Sequence, residues 1–261
     1  MRYALYAVRA EWTKLRSAGG TGRLLLLAVV LTVALSAAAA EAARCPGAGC
    51  GGDAVRISLT GVTLGQAVVA ITAVLTVSGE YGSGMIRTTF AAVPHRIAAF
   101  GAKAAVLTGA VLATGTAAVL GSLLAGRYLL PGRGFTEANG HLPLSLADGP
   151  TLRAAAGTVL YFALVALLSF GIATAVREAA TAIGAVLGLL YLFPIVAHVV
   201  GDPEWQRHLQ QIAPMTAGLA VQATTHLDKL PIGPWAGLGV LAAWAAAALL
   251  TGGLLLRLRD A

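Results

Sequence analysis

The chain has 261 residues, 57% of them hydrophobic and only 11% charged, yet its net charge is +7. Soluble domains carry about a quarter charged residues, and disordered chains combine low hydrophobicity with high charge; the composition and a mean hydropathy of +0.79 exclude both. A nucleic-acid-binding domain would concentrate Lys and Arg far more densely, so the chain reads as a polytopic membrane protein with no nucleic-acid partner.

Taken in chain order, residues 1–20 are expected to form an amphipathic helix. Leu5, Val8, Trp12 and Leu15 share one helical face, while Arg2, Arg9, Arg16 and Arg23 recur every seven residues on another. An apolar, Trp-bearing face beside an arginine stripe suits a helix lying in the membrane interface. The run Gly19-Gly20-Thr21-Gly22 is expected to turn the chain into the first span.

A membrane-spanning helix needs about 20 apolar residues. Six stretches qualify, at about 24–43, 60–79, 104–126, 154–176, 179–200 and 235–256. None alternates with the period of two that a barrel strand requires, so the expected fold is an all-α bundle filling residues 1–261 as one domain. A cleaved signal peptide is the rival reading of the first span, because small residues follow at Ser36 to Ala40. The long patterned basic lead and the length of the apolar run favour a retained span. Ile212–Ala223 is too short to cross and contains Pro214, so a short helix at the outer face is expected there. Pro194 sits where it would kink the fifth span.

Cys45 and Cys50 flank a Pro-Gly-Ala-Gly run that permits a tight turn. The spacing leaves bridged and unbridged forms equally open. Small residues recur every four positions in the third span (Ala105, Gly109, Ala113, Ala117, Gly121, Ala125) and in the fifth (Ala180, Gly184, Gly188). Such ridges permit close helix approach, and packing within one bundle is preferred here over a subunit interface.

Between the second and third spans lies GEYGSGMIRTTFAAVPHR, Gly79 to Arg96. Ser83 can cap a short helix whose Ile86, Phe90 and Val93 share a face, and Pro94 punctuates it. Glu80 and Arg87 would share a side of a continuous helix, although Gly82 and Gly84 weaken that continuity. A helix resting on lipid is the simpler alternative.

Basic residues set the orientation. Arg2, Arg9, Lys14, Arg16, Arg23, Arg87, Arg96, Lys103, Arg177, Arg257 and Arg259 fall on one side, against seven on the other. The excess places both termini in the cytoplasm. Four acidic residues share the inner side and seven the outer, so the whole excess of positive charge faces the inner, anionic leaflet.

Chemistry is sparse. No span shows a buried acidic pair, a His–Asp chain or a central Arg, which argues against ion coupling; Glu41, His198 and Lys103 sit near span ends. No HExxH, GxSxG or CxxC motif occurs. Ser83 lies in an expected loop and is a poor nucleophile. His198, Asp202, Glu204 and His208 lack the ligand spacing of a known metal site, so no metal is expected. There is also no GxxxxGK[ST], so any ATP must be bound by another chain.

The segment from Gly79 to Arg96 resembles the cytoplasmic motif of ABC-2-type permeases, especially actinobacterial ones, and Glu11 to Ser17 (EWTKLRS) resembles the stretch before their first span. The six-span layout and missing ATP site agree with this resemblance along the whole chain. It implies the membrane subunit of a type V ABC exporter in a bacterial cell membrane. Such a subunit pairs with a second permease copy, identical or paralogous, and docks a separate ATPase subunit that holds ATP and Mg2+; this chain would hold no cofactor. By position, the coupling helix would include Glu80, Tyr81, Met85, Ile86, Arg87, Phe90, Pro94 and Arg96. The elbow helix would carry Leu5, Val8, Arg9, Trp12, Leu15 and Arg16, and Ile212–Ala223 would be an outer re-entrant helix. The outer loop 127–153 is longer than the family minimum. The alternative is a polytopic scaffold or sensor that transports nothing and docks a cytoplasmic partner on the same basic face.

Overall fold

The computed structural model describes residues 2–17, 19–47, 50–82, 96–141, 144–199 and 202–258. Met85, Ile86, Arg87, Phe90 and Pro94 therefore lie outside the described residues, as does Ser83. Among the described residues no strand occurs, and six helices are long and apolar enough to cross a membrane.

The helices are α1 (Arg2–Ser17), α2 (Gly19–Ala42), α3 (Ala54–Ser58), α4 (Val62–Gly82), α5 (Arg96–Leu129), α6 (Gly149–Val176), α7 (Ala179–Val199), α8 (Pro203–Ile212), α9 (Pro214–Leu219) and α10 (Pro234–Leu258). The six spans are α2, α4, α5, α6, α7 and α10. Both termini come to one end of the bundle, called proximal below: α1 packs on α5, and Gly253 near the end of α10 faces Phe100 near the start of α5. The opposite, distal end carries α3, α8, α9 and the connection between α5 and α6.

Helix α6 is the best covered of the spans. Tyr161, Phe162, Leu168 and Phe170 on it are fully buried, in one apolar core with Val62 and Val74 of α4 and Leu241 of α10. Its most extensive contact is with α10. That crossing depends on two glycines: a Cβ at Gly171 would stand 2.5 Å from the Ala248 carbonyl carbon, and one at Gly252 would stand 2.6 Å from the Gly171 oxygen. Backbones approach this closely only where side chains are missing. Several hydroxyls inside the bundle are satisfied locally, although those of Ser78 and Ser122 have no partner among the described residues. Thr32, Thr158, Ser169 and Thr174 each donate to the carbonyl four residues back, at 2.6–2.8 Å, as a medium without water demands.

Several sequence expectations are corrected. The Gly19–Gly22 run is not the turn: α1 ends at Ser17 and α2 begins at Gly19, so the glycines are helical. They occupy the first turn of α2, where the amides lack intrahelical acceptors and glycine weakens the helix least. The connection is shorter than 127–153: the third span is a 34-residue helix reaching Leu129, the fourth begins at Gly149, and 3-10 turns at Pro131–Arg133 and Glu137–Asn139 lie in the interval. Helix α7 runs through Pro194. The region around Ile212–Ala223 holds two helices, an amphipathic α8 and a shorter α9 extended by a 3-10 turn at Ala220–Gln222. The small-residue ridges do not make the bundle's main seams. Ala105, Gly109, Ala113 and Ala117 are exposed, and nothing lies within 4 Å of a Cβ at Gly184 or Gly188, although the ridge closes on α2 at its end, where Ala125 is half-buried and a Cβ at Gly121 would stand 2.8 Å from Val33. Their spacing marks one helix face, but the buried faces run through Val106, Ala110 and Ala118, and through Ala182, Val186 and Leu190.

The distal end is tied together by polar contacts. Cys45 and Cys50 form a disulfide, with Cα atoms 5.6 Å apart. The Cys45 amide donates to the Arg133 carbonyl at 2.9 Å, and Arg133 pairs with Glu41. Gly134, at φ +94°, lies directly against the Cys45 carbonyl, a left-handed and crowded position suited to glycine. Asp53 caps α3 through the Arg56 amide. It also accepts from the Thr224 amide (2.6 Å), the Thr224 hydroxyl (2.8 Å) and the Thr225 amide (3.2 Å). Arg153 adds a 2.6 Å bond to the Ala223 carbonyl.

Candidate functional site

The feature richest in charge is at the proximal end, where four ionisable side chains meet inside the protein. Glu11 and Lys14 are three residues apart on α1 and so lie on one helix face. Glu80 is in the last turn of α4, and Lys103 is two turns into α5. Lys14 Nζ lies 2.8 Å from Glu11 Oε1 and 3.1 Å from Glu80 Oε1. Lys103 Nζ lies 2.9 Å from Glu11 Oε2 and 2.6 Å from Glu80 Oε1. The four groups close into a ring in which each ammonium bridges both carboxylates and the charges sum to zero.

Both carboxylates are buried; Lys103 is 14% exposed and Lys14 34%. Burial pushes the Glu11 carboxyl up, but the charge of Lys103 and hydrogen bonds from both lysines outweigh it and hold it below its ordinary value of 4.5. Burial likewise lowers Lys14, but its bonds to Glu11 and Glu80 hold it above 10.5. A carboxylate at a helix C-terminus faces the negative end of the helix dipole. Glu80 is stable there because two ammonium groups share its Oε1, while Oε2 has no hydrogen-bond partner among the described residues.

Next to the ring, the Arg177 guanidinium lies 5.2 Å from the centre of the Tyr81 ring, within the reach of a cation–π contact. Arg177 ends α6 at φ +67°, a strained conformation for a side chain of its size, and its amide donates to the Ala173 carbonyl. Glu178 then starts α7 by accepting from the Ala180 and Thr181 amides, and a hydrogen bond from the Thr181 hydroxyl, with these two, holds its carboxyl below the ordinary range. Beneath the ring, Phe100 of α5 packs on Phe170 of α6 with ring centres 4.9 Å apart.

Of the residues expected in the coupling segment, Glu80 and Tyr81 are thus described, on the last turn of α4, and each has a charged partner. Arg96 opens α5, but its side chain lies outside the described part, as do the side chains of Leu5, Leu15 and Arg16. On α1, Val8, Arg9 and Trp12 are exposed, so the face turned into the protein is that of Glu11 and Lys14. In the sequence, Glu11 and Lys14 stand before the first span, Glu80 in the expected coupling segment and Lys103 near a span end, with nothing that pairs the four. A lone Lys103 in an otherwise apolar stretch, with Glu11 and Lys14 at pairing distance on a helix, was the available signal.

Inside the bundle the polar groups are uncharged. The fully buried Tyr161 donates to Gln66 Oε1, while Gln66 and Tyr191 both donate to the Thr63 carbonyl. At the distal end His141 Nε2 lies 3.2 Å from Cys50 Sγ, and ligand atoms of Cys45, Cys50 and His141 fall within 4.8 Å of one another. With both sulfurs in a disulfide this cluster is a structural staple, since metal ligation requires thiolates. Asp202 caps α8 through the Glu204 amide, and His208 bonds the Glu204 carbonyl, so both are engaged locally.

The chain matches no protein-family profile and no curated protein.

Proposed function

We infer that this chain is the membrane subunit of an ATP-driven export system, an ABC-2-like permease that receives movement from a separate ATPase. The observation that carries the reading is the charge ring. It binds α1 to the two helices that flank residues 83–95, the connection where the resemblance puts the coupling segment. A push on that connection would reach α4 through Glu80 and α5 through Lys103, with α1 bridging them. On this reading the proximal end is cytoplasmic, as the excess of basic residues there supports.

Six apolar spans supply a membrane path, and the Gln66–Tyr161–Tyr191 group gives it a polar but uncharged interior. Energy from a partner fits that interior better than ion coupling, which uses ionisable groups at membrane depth. The test is co-expression with a Walker-motif ATPase encoded by a neighbouring reading frame, followed by co-purification and ATP-driven transport in vesicles. Glu80→Gln and Lys103→Met should uncouple transport from ATP hydrolysis. Failure of any ATPase to associate would refute the reading, and a stable complex with no ATP-dependent movement of solute would favour a docking scaffold.

A further inference from the structure

We propose that the groove between α5 and α6 in the distal half of the bundle holds one acyl chain of a phospholipid, whose phosphate is bound by Arg127. Two adjoining cavities of about 420 and 380 Å³ share Leu120 and Leu146. Together they run along α5 from Thr116 to Arg127, eleven residue steps of helix. At 1.5 Å per residue that is about 16 Å, close to half of a ~30 Å hydrocarbon core and so the depth of one leaflet.

The chemistry changes along the groove as a lipid's does. The deep part is lined by Val119, Ala155, Ala156, Val159 and Leu160, and Thr116 there already donates to the Leu112 carbonyl at 2.7 Å. No unfilled polar demand is left among the residues that line this part. Leu124, Leu152 and Leu160 are exposed and form an apolar rim open to the bilayer. At the other end the groove meets Arg127 and Ser145.

Arg127 is exposed and makes no ion pair among the described residues, whereas Arg133 is paired with Glu41 and Arg153 is bonded to the Ala223 carbonyl. Asp148 lines an adjoining cavity with His141 and Thr224, which meets the groove at Leu144 and Thr151, and it makes no ion pair with Arg127. The neighbouring Tyr128 is 79% exposed, at the level where aromatic residues anchor a span in the interface. A cation at headgroup height above an apolar slot one leaflet deep is complementary to a phospholipid.

The experiment is native mass spectrometry of the delipidated full-length protein, titrated with phosphatidylglycerol or with a galactosyl diacylglycerol of matched chains, which lacks phosphate. The wild type should retain one phosphatidylglycerol per chain in preference to the galactolipid. Arg127→Gln should weaken phosphatidylglycerol about five-fold, the effect of one interfacial cation, and leave the galactolipid unchanged. Ala156→Trp, which fills the slot from an exposed position, should remove both lipids. Leu250→Trp, on an exposed face of α10, should change neither and controls for folding. The proposal is overturned if Ala156→Trp binds lipid as the wild type does, or if Leu250→Trp loses as much. An unchanged preference in Arg127→Gln also overturns it. So does an Ala156→Trp protein that dissociates from a dimer to a monomer with its lipid retained, because the groove is then a subunit contact.

Discussion

Removing one charge from the ring should release α1 from the bundle, and the cost can be worked bond by bond. Glu80→Gln keeps the shape of the side chain but replaces a carboxylate that receives Lys14 at 3.1 Å and Lys103 at 2.6 Å. A hydrogen bond to a charged group contributes about 1.5–3 kcal/mol and a neutral one about 0.5–1.5, so each bond loses about 1–2 kcal/mol. The Lys14 share belongs at the low end, because that side chain is a third exposed and water screens it. The expected cost is about 2–3 kcal/mol. It is similar for Glu11→Gln, larger for Lys103→Met, which leaves two buried carboxylates facing each other, and about 1 kcal/mol for Lys14→Ala. The assay is hydrogen exchange of α1 amides in detergent, which reads local opening directly. A double mutant, Glu80→Gln with Lys103→Met, should cost clearly less than the sum of its parts. Additive effects, or a Lys14→Ala cost equal to that of Lys103→Met, would refute the closed ring.

The same ring sets a pH window. Glu11 titrates below 4.5 when folded, so its contribution is present above that value and is lost as pH falls through it; Lys14 titrates above 10.5, so its contribution is lost as pH rises past it. Protection of α1 should therefore be flat from about pH 5.5 to 9.5 and fall on both sides. Gly171→Ala should lower the thermal midpoint by the equivalent of about 1–3 kcal/mol, because its methyl meets the Ala248 backbone, while Gly184→Ala, in open space, should not destabilise. Asp53→Asn should cost about 2 kcal/mol and raise exchange at Thr224 and Thr225 without touching α1. Tyr161→Phe leaves the Gln66 oxygen without that donor and should cost about 1–3 kcal/mol, largely recovered in the double variant Tyr161→Phe with Gln66→Leu; thermal unfolding in detergent checks both.

The spans were legible in the sequence because hydropathy is local: a run such as Leu24 to Ala40 declares itself without knowledge of its neighbours. Their ends were less so. Arg96 to Lys103 looked like connection because charge lowers hydropathy, yet these residues continue α5 once Lys103 finds Glu11 and Glu80. The ring itself joins positions 11, 14, 80 and 103, and no local pattern announces a pairing over such separations. The ridges misled for a related reason. In a chain this rich in alanine, four-residue spacing of small residues arises on lipid-facing sides as readily as on packed ones, and only the backbone contact at Gly171 and Gly252 separates the two.

The length of α5 carries a mechanical consequence. Its 34 residues make a rod about 51 Å long, well beyond the ~30 Å of hydrocarbon it crosses. One end is fastened to the charge ring through Lys103, and the other continues into the 3-10 turn that holds the disulfide-bonded loop. A straight rod pivoting near its middle by about 10° swings each tip about 4 Å in opposite directions. On such a pivot, a displacement imposed at one face of the membrane would reach the other reversed in sign and undiminished.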